Sequence, residues 1–233
     1  MKIDEFIESL RKLNIDITSR QLEQFEEYYN LLVEWNEKIN LTRIIEKEDV
    51  YLKHFYDSIT IVNTVDINNK SICDIGTGAG FPGIVLKIFY PNIALTLIEA
   101  TKKRCEFLAL ITKELNLENV TVINKRVEEY AKDNREKFDI VTCRAVAKLK
   151  ILLELAIPLV KINGYFIPLK GIINNELENI DNYYKKLNIN LLEIKEFTLP
   201  IEESKRTILK FQKLEKTDLR YPRRYSEIIK KEL

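Results

Sequence analysis

The sequence predicts an α/β fold: a mostly parallel, Rossmann-like sheet of seven strands with helices on both faces, preceded by an N-terminal helical extension. Three observations carry this. From residue 70 onward, short apolar runs alternate with amphipathic stretches, the β-α-β-α rhythm that yields parallel strands covered on both faces. The last two apolar runs, 191–197 and 207–212, are joined by a short segment, as an antiparallel pair requires. No glycine occurs before Gly76, and the apolar residues of that first stretch recur at helical spacing instead.

In chain order, Phe6, Ile7, Leu10 and Leu13 share one helical face, and Leu22, Phe25, Tyr29, Leu32 and Trp35 share another. Thr18 with Gln21 three positions later has the form of a capping box and sets the start of the second helix. A further helix is expected over about 47–62. Strands are expected at 71–75, 94–98, 120–123, 139–142 and 165–169, and helices near 83–89, 102–115, 149–155 and 175–186. This division gives a helical extension over residues 1–64, an α/β domain over 65–216 and a basic tail over 217–233.

Composition narrows the function. With 233 residues, 45% of them apolar, the chain can bury one sizeable core. The first residues lack the apolar core of a signal peptide, and no run approaches the roughly 18 apolar residues of a membrane span, so a soluble, cytoplasmic protein with no membrane partner is expected. Cys73, Cys105 and Cys143 are far apart and form no Cys-x-x-Cys pair, which predicts buried reduced thiols, with neither a disulfide framework nor a metal site. The net charge is +1, but unevenly placed: residues 1–60 hold eight Lys and Arg against thirteen Asp and Glu, and the rest holds 29 against 23. A basic surplus toward the C-terminus, including Arg223 and Arg224, permits a phosphate-rich partner.

The chemistry concentrates in Ile72-Cys73-Asp74-Ile75-Gly76-Thr77-Gly78-Ala79-Gly80-Phe81-Pro82-Gly83. An apolar strand runs directly into alternating glycines and then a helix. Glycine lets the backbone turn sharply and lets a ligand lie against it, and the helix start favours an anion such as the carboxylate of a methionine moiety. Residues 78–83 also match the dinucleotide fingerprint G-x-G-x-x-G. Two details favour another ligand. Gly76, rather than Gly78, holds the strand end, and Asp74 places a carboxylate where it would repel a pyrophosphate and attract the ammonium of S-adenosylmethionine. The pattern Asp-x-Gly-x-Gly-x-Gly resembles motif I of class I methyltransferases. Glu99, at the end of the second strand, is placed to accept the ribose hydroxyls.

Ligands of open α/β sheets bind beyond the carboxyl ends of the strands. There the sequence places Arg126 after strand three, Arg144 at the end of strand four and Lys170 at the end of strand five, a basic rim suited to nucleic acid. It offers no Asn-Pro-Pro-Tyr-like segment and no Pro-Cys nucleophile. His54, the only histidine, lies in the helical region and reads as a packing or polar contact. No catalytic acid or base is therefore assigned. An acceptor with a free lone pair, such as guanine N7, fits best, because in-line attack on a sulfonium methyl needs alignment and electrostatic tuning more than proton removal.

Several segments together are similar to one family: 28–42 with its Trp-Asn-x-x-x-Asn-Leu-Thr, His54-Phe55-Tyr56-Asp57-Ser58, the glycine turn, Arg126-Val127-Glu128-Glu129, Arg144-Ala145-Val146-Ala147 and Leu169-Lys170-Gly171. They resemble the glucose-inhibited division protein B family of bacterial small-subunit ribosomal RNA methyltransferases, over about residues 25–225. The resemblance implies methylation of guanine N7 in 16S ribosomal RNA, either as RNA or as a small-subunit particle, by an enzyme using S-adenosylmethionine; a monomer is expected. It further implies cofactor contacts from Gly76 and Phe81, beside the candidate Gly78 of the same turn, from Val127 and Glu128 near the adenine, and from Arg144. Arg126, Arg144, Lys170, Arg223 and Arg224 become the candidates on the RNA side. The tail departs from the family pattern after Arg224.

Overall fold

Thr18 caps the second helix as its spacing predicts. Its hydroxyl accepts from the Gln21 backbone N–H at 3.2 Å, and the Gln21 side chain accepts from the Thr18 N–H at 2.9 Å. The computed structural model describes residues 1–233. Helix α1 spans Ile3–Lys12 and α2 spans Ser19–Ile39; α3 (Lys47–Val50), a π-helical stretch Tyr51–Tyr56, α4 (Asp57–Ile59) and a 3-10 turn Thr60–Asn63 then follow without interruption. The single helix expected over 47–62 is thus present but widened in its middle, a distortion that often marks a functional segment.

These helices share a core with the sheet. Phe6, Phe25, Phe55 and Phe89 interlock with ring centroids 4.8–5.7 Å apart, and one cluster of 36 buried residues joins them to strand and helix residues of the α/β region. Each such buried aromatic contributes on the order of 2–3 kcal/mol.

The strands are β1 (Ser71–Ile75), β2 (Ala94–Glu99), β3 (Val120–Asn124), β4 (Phe138–Arg144), β5 (Val160–Lys170), β6 (Ile189–Thr198) and β7 (Lys205–Lys213). Their order is β3-β2-β1-β4-β5-β7-β6. The first five run parallel, and β7 is antiparallel to both β5 and β6. Helices α5 (Gly83–Phe89), α6 (Lys102–Glu114), α7 (Val127–Asp133), α8 (Leu149–Ala156) and α9 (Asp181–Leu187) connect them, and α10 (Tyr225–Ile228) lies in the tail. The order reverses at β1, so the crevice at the carboxyl ends of β1 and β4 is where such a sheet binds ligands. No helix is long and apolar enough to cross a membrane.

Two features depart from the sequence reading. Residues 127–133 form α7, and the expected helix over 175–186 is confined to Asp181–Leu187. The tail is also fastened rather than free. Arg135 donates to the carbonyls of Thr217, Asp218 and Tyr221, and Tyr221 and Ile228 are buried.

Candidate active site

The turn after β1 is built on left-handed backbone. Gly76, Gly78 and Gly80 have φ of +64°, +61° and +102°, conformations that cost an L-residue roughly 1–2 kcal/mol each. Space distinguishes them. A Cβ on Gly76 would stand 2.9 Å from Val146 Cγ1, whereas one on Gly78 would meet nothing within 4 Å. Gly78 is therefore the glycine whose backbone lies open, as a ligand resting on the turn requires.

Asp74 lies beneath the turn and is fully buried. Its Oδ2 accepts from Thr77 Oγ1 at 2.6 Å and from the Gly83 N–H at 2.8 Å. The anion at the start of α5 is thus the protein's own carboxylate, where the sequence leads one to expect a ligand's. Burial pushes Asp74 up to about 7, against the lowering by its Thr77 and Gly83 hydrogen bonds and by Arg144. Its Oδ1 has no partner. Such an orphaned buried oxygen fits a site that awaits a cation or donor.

Glu99 ends β2 nearly buried. Its Oε2 accepts from the Gly78 N–H at 3.1 Å and its Oε1 from the Thr101 N–H at 2.8 Å. It faces the open glycine. Glu128 is buried in the first turn of α7 and Val127 packs on the adjoining apolar cluster, so both stand beyond the carboxyl end of β3, the strand paired with β2. Val146, which closes on Gly76, also lines a cavity of about 670 Å³ with Leu149, Ile173, Tyr225 and Ile229.

Arg144 is the hub of the neighbouring region. Its Nη1 donates to Lys53 O at 2.7 Å and approaches Asp57 Oδ2 at 3.3 Å, and its Nη2 meets His54 Nδ1 at 2.9 Å. The guanidinium also lies over the Phe81 ring, 5.0 Å from its centroid, and the His54 ring stacks on Phe81 at 4.4 Å. Because Arg144 can only donate, His54 Nδ1 must accept, which leaves the proton on Nε2 to reach Thr42 Oγ1 at 2.9 Å. Burial, with Arg144 adding to it, lowers His54 to about 3, so the ring is neutral. Its role is to orient Arg144, in agreement with the sequence reading of a polar contact.

The basic residues taken for the rim separate in space. Arg144 and Lys170 line one cavity of about 300 Å³ together with Lys53, His54, Asp57 and Arg206. Arg126 stands apart, exposed and 5.9 Å from the Tyr225 ring. Lys170 is held by Glu176 at 2.7 Å and by Ala147 O. Arg223 is clamped on the fully buried Glu154 at 2.8 and 2.7 Å, and Arg224 is exposed. Sequence reasoning assigns no role to Asp57 or Arg206. The His-x-x-Asp spacing flags the first; nothing flags the second, which comes from β7.

A reversing seven-stranded sheet with antiparallel β7, a three-glycine turn and a carboxylate ending β2 defines a class I, S-adenosylmethionine-dependent methyltransferase. Residues 21–208 match the model of the family described as rRNA small subunit methyltransferase G. Ribosomal RNA small subunit methyltransferase G of Bacillus subtilis (strain 168) is 49% identical, covering 96% of this chain and 95% of that protein. Its namesake from Bacillus velezensis is 47% identical with the same coverage. The chain belongs to the rRNA small subunit methyltransferase G family. Solved structures share the fold at low identity. M. jannaschii TYW2 in complex with AdoMet aligns with a TM-score of 0.58 at 15% identity, over 74% of this chain and 80% of that one. A SAM-dependent methyltransferase from Aquifex aeolicus aligns with a TM-score of 0.52 at 13% identity, over 71% and 93%.

Proposed function

We propose that this protein transfers the methyl group of S-adenosylmethionine to N7 of a guanine in 16S ribosomal RNA, acting in the cytoplasm on the RNA or a small-subunit particle. The observation that carries the reading is the pairing of an open Gly78 with Glu99 across the turn, beside a cavity walled by Arg144, Arg206 and Lys170. When bound, S-adenosylmethionine supplies an electrophilic methyl on a sulfonium. Gly76, Gly78 and Phe81 would form its bed, Glu99 would take the ribose hydroxyls, Val127 and Glu128 would flank the adenine, and Asp74 would face the positive end.

The choice of N7 rests on what the side chains near the crevice can do. His54 is neutral and has both nitrogens engaged. Cys143 is buried, and burial pushes its thiol far up. Neither is placed as a base, and Asp74 is buried beneath the glycine turn on Thr77 and Gly83, on the cofactor side, so an acceptor that already bears a lone pair is favoured. Arg144 would then serve by electrostatic positioning over Phe81. Arg126, Lys170 and Arg224 are assigned to the RNA side, with Lys170 and Arg144 lining the same cavity; Arg223 acts through the fastening of the tail.

The test is transfer of labelled methyl from S-adenosylmethionine to 16S RNA from a strain lacking the enzyme, followed by mass-spectrometric mapping of the modified nucleotide. One guanine bearing a 7-methyl group is expected. Labelling of a different base atom, or of small metabolites alone, would overturn the assignment.

A further inference from the structure

The cavity beside Arg144 is short of one anion. Two guanidiniums, Arg144 and Arg206, share the single carboxylate of Asp57: Arg144 Nη1 lies 3.3 Å from Oδ2, and Arg206 Nε lies 3.1 Å from both oxygens. Asp57 is buried, so solvent does little to screen the imbalance. The other two cations of the cavity are matched. Lys53 meets Asp49 and Glu202, and Lys170 meets Glu176. Arg206 uses Nε on Asp57 and Nη1 on Ser204 Oγ and Lys205 O. Its Nη2 makes no hydrogen bond within the protein, and the side chain is 20% exposed.

Arg206 also joins two cavities. It lines the one of about 300 Å³ at the ends of β4 and β5, and it lines a second of about 370 Å³ with Ile172, Phe197, Lys205 and Thr207. The second contains one acid, Glu196, against Lys205 and Arg206. It offers exposed Ile172 and half-buried Phe197 as an apolar surface. A cation with a free donor between two such hollows, flanked by an apolar platform, matches how proteins track single-stranded nucleic acid: backbone on the charge, bases on the platform.

We propose that the acceptor RNA strand leaves the methyl-transfer crevice over the β6–β7 end of the sheet, with Arg206 gripping a backbone phosphate and the next nucleotide resting in the Ile172–Phe197–Lys205 cavity. This deepens the reading of the protein as an RNA methyltransferase and rests on it. The anion that Arg206 awaits has a second conceivable source, the carboxylate of the methyl donor, and the experiment separates the two.

KM for 16S RNA from a strain lacking the enzyme is measured against salt for the wild type, Arg206→Gln, Arg206→Lys and Lys205→Gln, alongside calorimetry of S-adenosylmethionine. For single strands, each phosphate that the protein no longer neutralises lowers the slope of log affinity against log salt by about 0.7. Arg206→Gln should reduce the slope by about that much and raise KM roughly tenfold, while Arg206→Lys recovers the slope. Lys205 is exposed, so its variant folds whatever happens at Asp57, and it should show a similar reduction in slope with a smaller KM change. Cofactor affinity should stay within twofold throughout. A purely structural role for Arg206 would shift KM without moving the slope. Unchanged slopes in Arg206→Gln and Lys205→Gln overturn the strand path, as does weakened cofactor binding in Arg206→Gln with the slope intact, which would identify the anion as the donor's carboxylate. A wild type that methylates no 16S RNA would instead defeat the underlying reading.

Discussion

Arg144 and Arg223 are both guanidiniums held by carboxylates that solvent barely reaches, and the sequence presents both as RNA-facing. They do opposite things. Arg223 closes on Glu154 one to one, with Nε at 2.8 Å, Nη2 at 2.7 Å and the Arg223 backbone N–H at 3.0 Å on the same carboxylate. One positive charge meets one negative charge, and Nη2 also donates to Lys231 O at 3.0 Å. Arg144 shares Asp57 with Arg206, spends its other donors on Lys53 O and His54, and opens onto a cavity. A closed pair fastens the chain, whereas a cluster short of an anion can receive one. A buried basic residue is thus classified by the charge balance of its partners, which its own position in a sequence does not reveal.

The largest expected effect tests the closed pair. Glu154→Gln leaves the Arg223 guanidinium beside a neutral amide at a fully buried position, and removal of one partner of a buried pair costs about 3 kcal/mol. Urea unfolding should register that loss while the folded variant binds S-adenosylmethionine as the wild type does. Unchanged stability with weakened cofactor binding would reverse the assignment of the two arginines.

The converse variant is Arg144→Lys. An ammonium cannot reach Lys53 O, Asp57 and His54 Nδ1 from one planar fork or lie as a guanidinium over Phe81. The methyl-transfer kcat/KM should fall roughly tenfold to hundredfold, the equivalent of one or two charged hydrogen bonds, and stability should fall by less than in Glu154→Gln. A variant with full activity would show that the cluster is only structural.

How legible this contrast is follows from where its members lie. The strands, the helix starts at Ser19 and Gly83 and the glycine turn are written in local periodicity and punctuation, and the structure places β1 and α5 at the expected residues. Asp74 and Glu99 can be read because each sits a fixed distance from the turn. By contrast, Arg144, Asp57 and Arg206 meet from β4, α4 and β7, and no window of sequence brings them together. Likewise α7 is only seven residues long, and unlike α5, of the same length, it has no glycine or proline to mark its start. Arg223 reads as RNA-facing in the sequence because its partner Glu154 is 69 residues away.

His54 gives the third, smaller effect. Its neutral ring accepts from Arg144, so protonation breaks the cluster. The folded value of about 3 lies below the ordinary 6.5, so the unfolded chain binds the proton more readily. The contribution is complete above 6.5 and is lost as pH falls from there toward 3. Asp74 acts in the opposite sense: raised from 3.8 to about 7, its contribution is complete below 3.8 and is lost as pH rises through 7. The two offset each other between pH 4 and 6.5, so wild-type stability alone is uninformative. The difference between wild type and His54→Gln isolates the histidine, and the wild type should lose up to about 1.4 kcal/mol per pH unit more than the variant as pH falls through that range. Parallel urea-midpoint curves would show that His54 titrates normally.

The smallest effect separates two neighbours. Arg224 is exposed at the start of α10 and forms no ion pair, whereas Arg223 beside it is committed to Glu154. Arg224→Gln should leave stability within about 0.5 kcal/mol, and it should raise KM for 16S RNA about twofold at low salt, an effect that fades as salt screens exposed charge. Arg223→Gln should do the reverse, costing stability measurable by urea unfolding and leaving the salt slope of RNA affinity where it was. If both variants flatten that slope equally, the clamp on Glu154 opens when RNA binds, and the closed pair belongs with Arg144 after all.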